Sequence, residues 1–81
     1  MDVLRGKWAV GAAAVIRVFH GHKVRTVKVA AGAASIRVIY EEGGRTQTKD
    51  VAPRTSIVVE SMYVDIQGQG TDTSGKFLVV M

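Results

Sequence analysis

A degenerate repeat of about twenty residues constrains the fold of this chain more than any other feature. One copy covers Gly11–Val29, a second covers Gly32–Val51, and a less regular third begins at Ala52. The clearest match between copies is Ile16-Arg17-Val18, which returns twenty positions later as Ile36-Arg37-Val38. A fixed period of this kind indicates one supersecondary unit used several times. Each copy is predicted to form one β-hairpin.

β-Branched residues are frequent, since valine, isoleucine and threonine together account for 25 of the 81 residues. Branching at Cβ restricts χ1 in a helix and suits a pleated sheet. No long stretch has apolar residues at helical spacing, whereas alternation with a period of two recurs. We therefore expect one all-β domain over residues 1–81. Its predicted form is a compact antiparallel β-sandwich or small barrel of roughly six to eight short strands built from hairpins.

Eight strands are predicted from this pattern, and glycine marks the turns between several of them. The strands are Lys7–Val10, Ala14–His20, Lys23–Ala30, Ser35–Glu41, Arg45–Val51, Ser56–Ser61, Met62–Gln67 and Lys76–Val80. His20-Gly21 is predicted to be a two-residue turn, because glycine and histidine tolerate positive φ better than β-branched residues do. Glu41–Gly44 is predicted to be a hairpin tip. Gly68–Gly75 is the longest polar stretch and is predicted to be a mobile loop.

Alternation also assigns faces, because every second side chain of a strand points to the same side. The predicted core positions are Ile16, Val18 and His20 in the first copy and Ile36, Val38 and Tyr40 in the second. The last strand, Phe77–Met81, is apolar on both of its faces. Such a strand is predicted to lie in the centre of the sheet or to be covered by another chain.

The net charge of +4 is unevenly distributed along the chain. Residues 1–40 carry a formal charge of +6, whereas residues 41–81 carry −2. A basic half and an acidic half can attract one another between copies, or the basic half can meet a polyanion. The sequence does not distinguish attraction between copies from binding to a polyanion.

Several classes of protein are disfavoured by what the chain lacks. There is no cysteine, which excludes disulfides and thiolate metal sites and fits a reducing cytoplasm. No segment approaches the roughly 18–20 apolar residues of a membrane helix. The start of the chain lacks the apolar core of a signal peptide. We therefore expect no membrane association.

Catalytic and metal-binding patterns are also missing. His20 and His22 flank one glycine and could supply half of a zinc site, but no third ligand stands near them in the sequence. We expect no metal site within one chain, and a metal shared between copies stays open. The acids are scattered, and Gly68-Gln69-Gly70 lacks the lysine and helix of a phosphate-binding loop. We therefore predict no catalytic residues, no cofactor and no enzymatic activity, with a site shared between subunits as a minor alternative.

Binding of nucleic acid is the alternative function. Small β-barrels bind single strands through a basic groove with exposed aromatic side chains. The basic residues available on consecutive predicted strands are Arg17, Lys23, Arg25, Lys28 and Arg37. Phe19 and Tyr40 could flank them, although aromatic residues are only 6% of the chain.

In type, the chain resembles the small all-β accessory proteins of virions, such as the cement or decoration proteins of phage capsids. The segments that carry this likeness are Val51–Val59 and Gly75–Val80, which have a turn followed by an apolar strand. The resemblance implies a non-enzymatic protein present in many copies that stabilises a larger shell or tube. It also implies location in the virion, after synthesis in the host cytoplasm.

A structural role in assembly is therefore the predicted function, with copies of the chain or a larger protein scaffold such as a capsid as partners. A hydrophobic content of 47% is high for so small a domain and suggests apolar surface that a partner covers. The residues predicted to make apolar contact with the partner are Phe77, Leu78 and Val80. Those predicted to set electrostatic register are Arg17, Arg25 and Arg37.

Overall fold

The computed structural model describes residues 2–81, which form six strands joined by short turns. The strands are β1 (Val3–Val10), β2 (Val15–Ala30), β3 (Ile36–Glu42), β4 (Arg45–Val51), β5 (Ser56–Gly68) and β6 (Thr73–Val80). They pair antiparallel in one sheet with the order β1-β6-β2-β5-β3-β4. The predicted all-β antiparallel fold class is confirmed. The last strand lies between β1 and β2, which is the central position that was one of the two alternatives predicted for it.

The repeat corresponds to one hairpin in its second copy alone. There β3 and β4 are joined by Gly43 and Gly44, whose φ angles of 61° and 79° suit a two-residue turn of type I′. The first and third copies each form one long strand, β2 of 16 residues and β5 of 13 residues, and these two strands pair with each other. The prediction of one hairpin per copy is therefore wrong for those two copies.

The chain does not reverse at His20-Gly21, which corrects the predicted turn. Gly21 has no positive φ, so the tight turn that a reversal needs is not formed. Instead, His20 pairs with Tyr63 and Arg25 pairs with Ser61, so that residues 21–24 bulge out opposite Met62. β5 continues through Ser61 and Met62, where two separate strands were predicted, because β2 pairs with it on both sides of the bulge. Six longer strands therefore replace the eight predicted ones.

Bulges also change which side chains face the core. A register shift between Arg17 and Phe19 leaves Val18 without a direct partner and turns Phe19 inward, where it is 8% exposed. Ile16 and Val18 pack against the core as predicted, but His20 is exposed, so its assignment to the core is wrong. In the regular strand β3, the predicted core set is buried throughout.

The sheet folds over itself into two layers at the bulge. Its apolar residues are buried on one face although no helix among residues 2–81 covers them, so the sheet must supply its own cover. Layer A contains residues 15–20 of β2, residues 63–68 of β5, β3 and β4. Layer B contains β1, β6, residues 25–30 of β2 and residues 56–61 of β5. The inner faces of the two layers meet in a core rich in valine and isoleucine.

Ser61 stabilises β5 at the point where the sheet bends. Its side chain is 1% exposed, and Oγ accepts hydrogen bonds from the N–H of Glu41 at 2.9 Å and of Tyr63 at 3.2 Å. A buried backbone N–H without a partner costs free energy, so this hydroxyl satisfies one donor on β3 and one on β5 next to the bend.

Substitution Ser61→Ala is expected to lower the free energy of unfolding by about 1–2 kcal/mol, because two backbone donors lose this acceptor while the volume barely changes. Urea denaturation followed by circular dichroism measures the effect. Ser74→Ala is the matched control, since Ser74 is exposed on β6 and is expected to change stability by less than about 0.5 kcal/mol. Equal stability of the two variants would contradict the assigned role of the Ser61 hydroxyl.

Candidate interaction face

The outer face of layer A carries charges that are paired within the chain. Arg17 Nε donates to Asp65 Oδ1 at 2.8 Å, and the guanidinium lies 5.0 Å from the centre of the Tyr63 ring. Arg37 Nε donates to Asp50 Oδ1 at 3.1 Å. Both pairs join a residue of the basic half of the chain to one of the acidic half. The halves therefore attract one another within one molecule at these two points.

The order of strands explains this internal pairing. Strands from the first half of the chain alternate with strands from the second half across the whole sheet. This order places Asp65 of β5 beside Arg17 of β2, and Asp50 of β4 beside Arg37 of β3. The hydrogen bond to Asp65 and the charge of that carboxylate raise the pKa of Arg17. Because the pKa is raised, this contribution to stability is complete below the pKa of an unfolded arginine and is lost only in stronger base.

The outer face of layer B has a different character, combining unpaired cations with apolar side chains. Residues that pair directly across neighbouring strands share a face, so the register defines its members. Leu78 lies opposite Arg5 on one side and Lys28 on the other, and Lys28 lies opposite Val58. In the adjacent rows, the face presents the apolar residues Val3 and Val80 and the cations Lys7 and Lys76.

None of the four cations on this face forms an ion pair with a residue in the range 2–81. Glu60, opposite Thr26, is the acid that the register places on the same face. Four positive charges therefore accompany one negative charge around a centre formed by Leu78. A groove of 270 Å³ lies on this face; its lining residues are Arg5, Gly6, Lys28, Ala30, Lys76, Phe77 and Leu78. We refer to this outer face of layer B as the basic–apolar face.

The structure does not bring the six predicted interface residues together. Leu78 and Val80 lie on the basic–apolar face. Phe77 points between the layers, where its ring occupies the space that a side chain on Gly6 would need. The other predicted residues, Arg17, Arg25 and Arg37, lie elsewhere: two on the outer face of layer A and Arg25 beside the bulge.

The basic residues considered for nucleic acid are also separated. Of that set, Lys28 belongs to the basic–apolar face, whereas Lys23 and Arg25 line a cleft at the bulge. Phe19 and Tyr40 are 8% and 3% exposed, so neither ring is available for stacking on a base. The structure therefore provides no site in which these two rings accompany the cations.

Sequence reasoning missed three of the four cations of the basic–apolar face, namely Arg5, Lys7 and Lys76. The predicted first strand began at Lys7, whereas β1 begins at Val3. The alternation of Val3, Arg5 and Lys7 was a signal that could have extended the strand and placed these residues on one face. β1 pairs with β6, which lies about seventy residues further along the chain, and no local sequence pattern indicates this pairing.

Some types of site are absent from the part of the chain that the structure describes. Within residues 2–81, no three histidine or acidic side chains come together as possible ligands of a metal. His20 and His22 both lie at the bulge and are exposed. In the same range, no helix is long and apolar enough to span a bilayer.

The fold and this face define a small all-β protein whose single sheet bends into two packed layers. Two solved structures have a similar fold. A de novo designed double-stranded β-helix, solved by NMR, is similar with a TM-score of 0.64 and 17% identity, covering 94% of this chain and 95% of the designed one. A crystal structure of PirA is similar with a TM-score of 0.64 and 14% identity, covering 93% of this chain and 90% of PirA.

At these identities, the similarity shows the fold alone. A double-stranded β-helix agrees with a sheet that folds into two layers at the bulge in β2. No family model matches this sequence, and no curated protein matches it.

Proposed function

We propose that this protein is a non-enzymatic assembly protein that attaches through its basic–apolar face to an acidic protein surface in a multi-copy complex. The observation that supports this proposal is the contrast between the two outer faces. The outer face of layer A pairs Arg17 and Arg37 internally, whereas that of layer B presents four cations without ion pairs around Leu78. A surface with an apolar centre and an acidic rim complements layer B in both respects.

A protein partner fits the face better than a nucleic acid does. Binding of single strands relies on aromatic side chains that stack on bases. Trp8 and Phe77, the aromatic residues of the layer B strands, face inward, and the centre of the outer face is aliphatic. Val58 is 58% exposed and Val3 is 42% exposed, so this aliphatic surface is open to a partner. Burying it against protein contributes free energy that phosphate contacts do not supply.

The size of the face favours many weak attachments over one strong one. Four strands spaced about 4.8 Å apart and about six residues long cover about 400 Å². A stable interface buries about 800 Å² on each partner, so a single copy is expected to bind weakly. Attachment at many sites of one object compensates for weak individual contacts. A repetitive surface such as a phage capsid would provide these sites, which is the role implied by the resemblance to cement and decoration proteins.

Substitution Leu78→Asp is expected to weaken binding at least tenfold, because the centre of the face loses the roughly 1.5–3 kcal/mol that a buried leucine contributes. Carboxylated polystyrene particles serve as a defined surface that is both apolar and acidic. Binding of the purified chain to them is measured by sedimentation at low and high salt. Lys28→Glu should weaken binding mainly at low salt, where charge is least screened.

The matched control is Val15→Asp, which introduces the same side chain at a half-exposed position on the outer face of layer A. It is expected to bind particles as the parent chain does. Equal loss in Leu78→Asp and Val15→Asp would overturn the assignment of the face. Tighter binding of a single-stranded oligonucleotide than of the particles, abolished by salt, would favour the nucleic-acid alternative.

A further inference from the structure

A second candidate site lies at the bulge of β2, apart from the basic–apolar face. It is a cleft of 530 Å³, which we call the bulge cleft. Its lining residues are Leu4, Val18, Phe19, His20, Gly21, His22, Lys23, Arg25 and Met81. Clefts that hold small molecules have volumes of about 300–1,000 Å³, so the bulge cleft is large enough for a small ligand.

The bulge creates both the floor and the rim of this cleft. Residues 21–24 leave the ladder with β5 and arch outward, and the chain at Gly21 passes over the Phe19 ring. A Cβ at Gly21 would stand 3.0 Å from Cζ of that ring, so a side chain at this position would force the ring to shift. Leu4 and Met81, each about half exposed, add apolar wall from the ends of the chain. Bulges are frequent beside functional sites because they redirect side chains.

The polar lining of the cleft has one sign of charge. His20, His22, Lys23 and Arg25 all offer N–H donors, and no acidic residue is among the lining side chains. In the part of the chain that the structure describes, Lys23 and Arg25 form no ion pair. A third cleft, of 470 Å³, differs in this respect, because Glu42 and Glu60 line it together with Lys49.

We propose that the bulge cleft binds a small amphipathic anion, namely a carboxylate attached to an aliphatic chain. The aliphatic part packs on the apolar wall and the Phe19 floor. The carboxylate accepts hydrogen bonds from Arg25 and Lys23, and arginine can bind such a group through two parallel donors. This site is separate from the proposed docking function, since its residues lie outside the basic–apolar face.

Titration of the ¹⁵N-labelled protein with octanoate, followed by NMR, tests the proposal. The amides of Val18, His22 and Arg25 are expected to shift together, with one dissociation constant. Octanamide has the same chain without the charge, and we expect it to bind at least about tenfold more weakly, because it lacks charge-assisted hydrogen bonds. Equal affinity for both compounds would overturn the proposed role of the cations.

A pair of double variants separates local contacts from net charge. Lys23→Gln with Arg25→Gln is expected to weaken octanoate binding about tenfold and to leave octanamide binding unchanged. Lys7→Gln with Lys76→Gln removes the same charge from the basic–apolar face and is expected to preserve octanoate binding. Equal weakening by both pairs, shifts confined to the basic–apolar face, or no shift at millimolar octanoate would each contradict the proposal. Since these titrations use no particles, their failure leaves the docking proposal unaffected.

Discussion

Substitution Gly68→Ala is expected to lower the free energy of unfolding by about 3 kcal/mol, and to lower Tm by roughly 12–24 °C for a domain of this size. Gly68 ends β5, and its Cα faces the turn that carries the chain from β1 to β2. An added Cβ would overlap the Gly11 carbonyl oxygen and would approach the Ala12 carbonyl carbon to 3.0 Å. Because backbone atoms block the space, no side-chain rotation can relieve the overlap.

Gly11, in the same turn between β1 and β2, provides the control position. A Cβ at Gly11 would meet its nearest neighbours at 3.6 and 3.7 Å, which are ordinary contacts. Gly11→Ala is therefore expected to change stability by less than about 1 kcal/mol. Thermal unfolding of the two variants, followed by circular dichroism, measures the difference. A Gly68→Ala protein as stable as Gly11→Ala would show that Gly68 does not pack against the turn between β1 and β2 as described.

Substitution Ile66→Ala is expected to destabilise the protein by about 3–4 kcal/mol, through lost burial and the cavity that remains. Ile66 is fully buried on β5, where it pairs with Ile16 on one side and Val38 on the other. A domain of this length has a total stability of about 4–12 kcal/mol, so one such cavity removes a large share of it. Urea denaturation gives the change in the free energy of unfolding.

Ile39→Ala removes the same atoms from the opposite face of layer A. Ile39 is half-buried beside Asp65 and Thr48, so its truncation leaves no enclosed cavity. We expect a loss of about 1 kcal/mol for this variant. If the two variants were equally destabilised, the inner and outer faces assigned to layer A would be wrong.

Local patterns predicted the fold where strands are regular. The alternation in β3 identified Ile36, Val38 and Tyr40 as core, and the glycine pair after Glu42 identified a hairpin tip. The same reasoning failed at His20, because the register shift between Arg17 and Phe19 changes which face the following side chains point to. A bulge depends on the partner strand opposite, so the sequence of one strand does not reveal it.

Less of the basic–apolar face than of the fold could be predicted from the sequence. Apolar residues on both sides of the last strand predicted that it is central in the sheet or covered by another chain. The strand lies between β1 and β2, and Leu78 and Val80 are on its outward side in layer B. The arginines chosen for register were misleading, because a formal charge in the sequence does not show whether a carboxylate lies opposite. Asp65 and Asp50 occupy that position for Arg17 and Arg37, and these pairings follow from the topology of the whole sheet.

The alternating strand order also has a consequence for how the chain is made. Within residues 2–81, β3 and β4 are the one pair of hydrogen-bonded strands that follow each other along the chain. During translation, this hairpin can form early, while β1 and β2 wait for Thr73–Val80 to be synthesised and to insert between them. Until then their apolar edges are open to other nascent chains. We therefore expect synthesis to leave the growing polypeptide dependent on chaperones, and folding of the complete chain to be slow for its length.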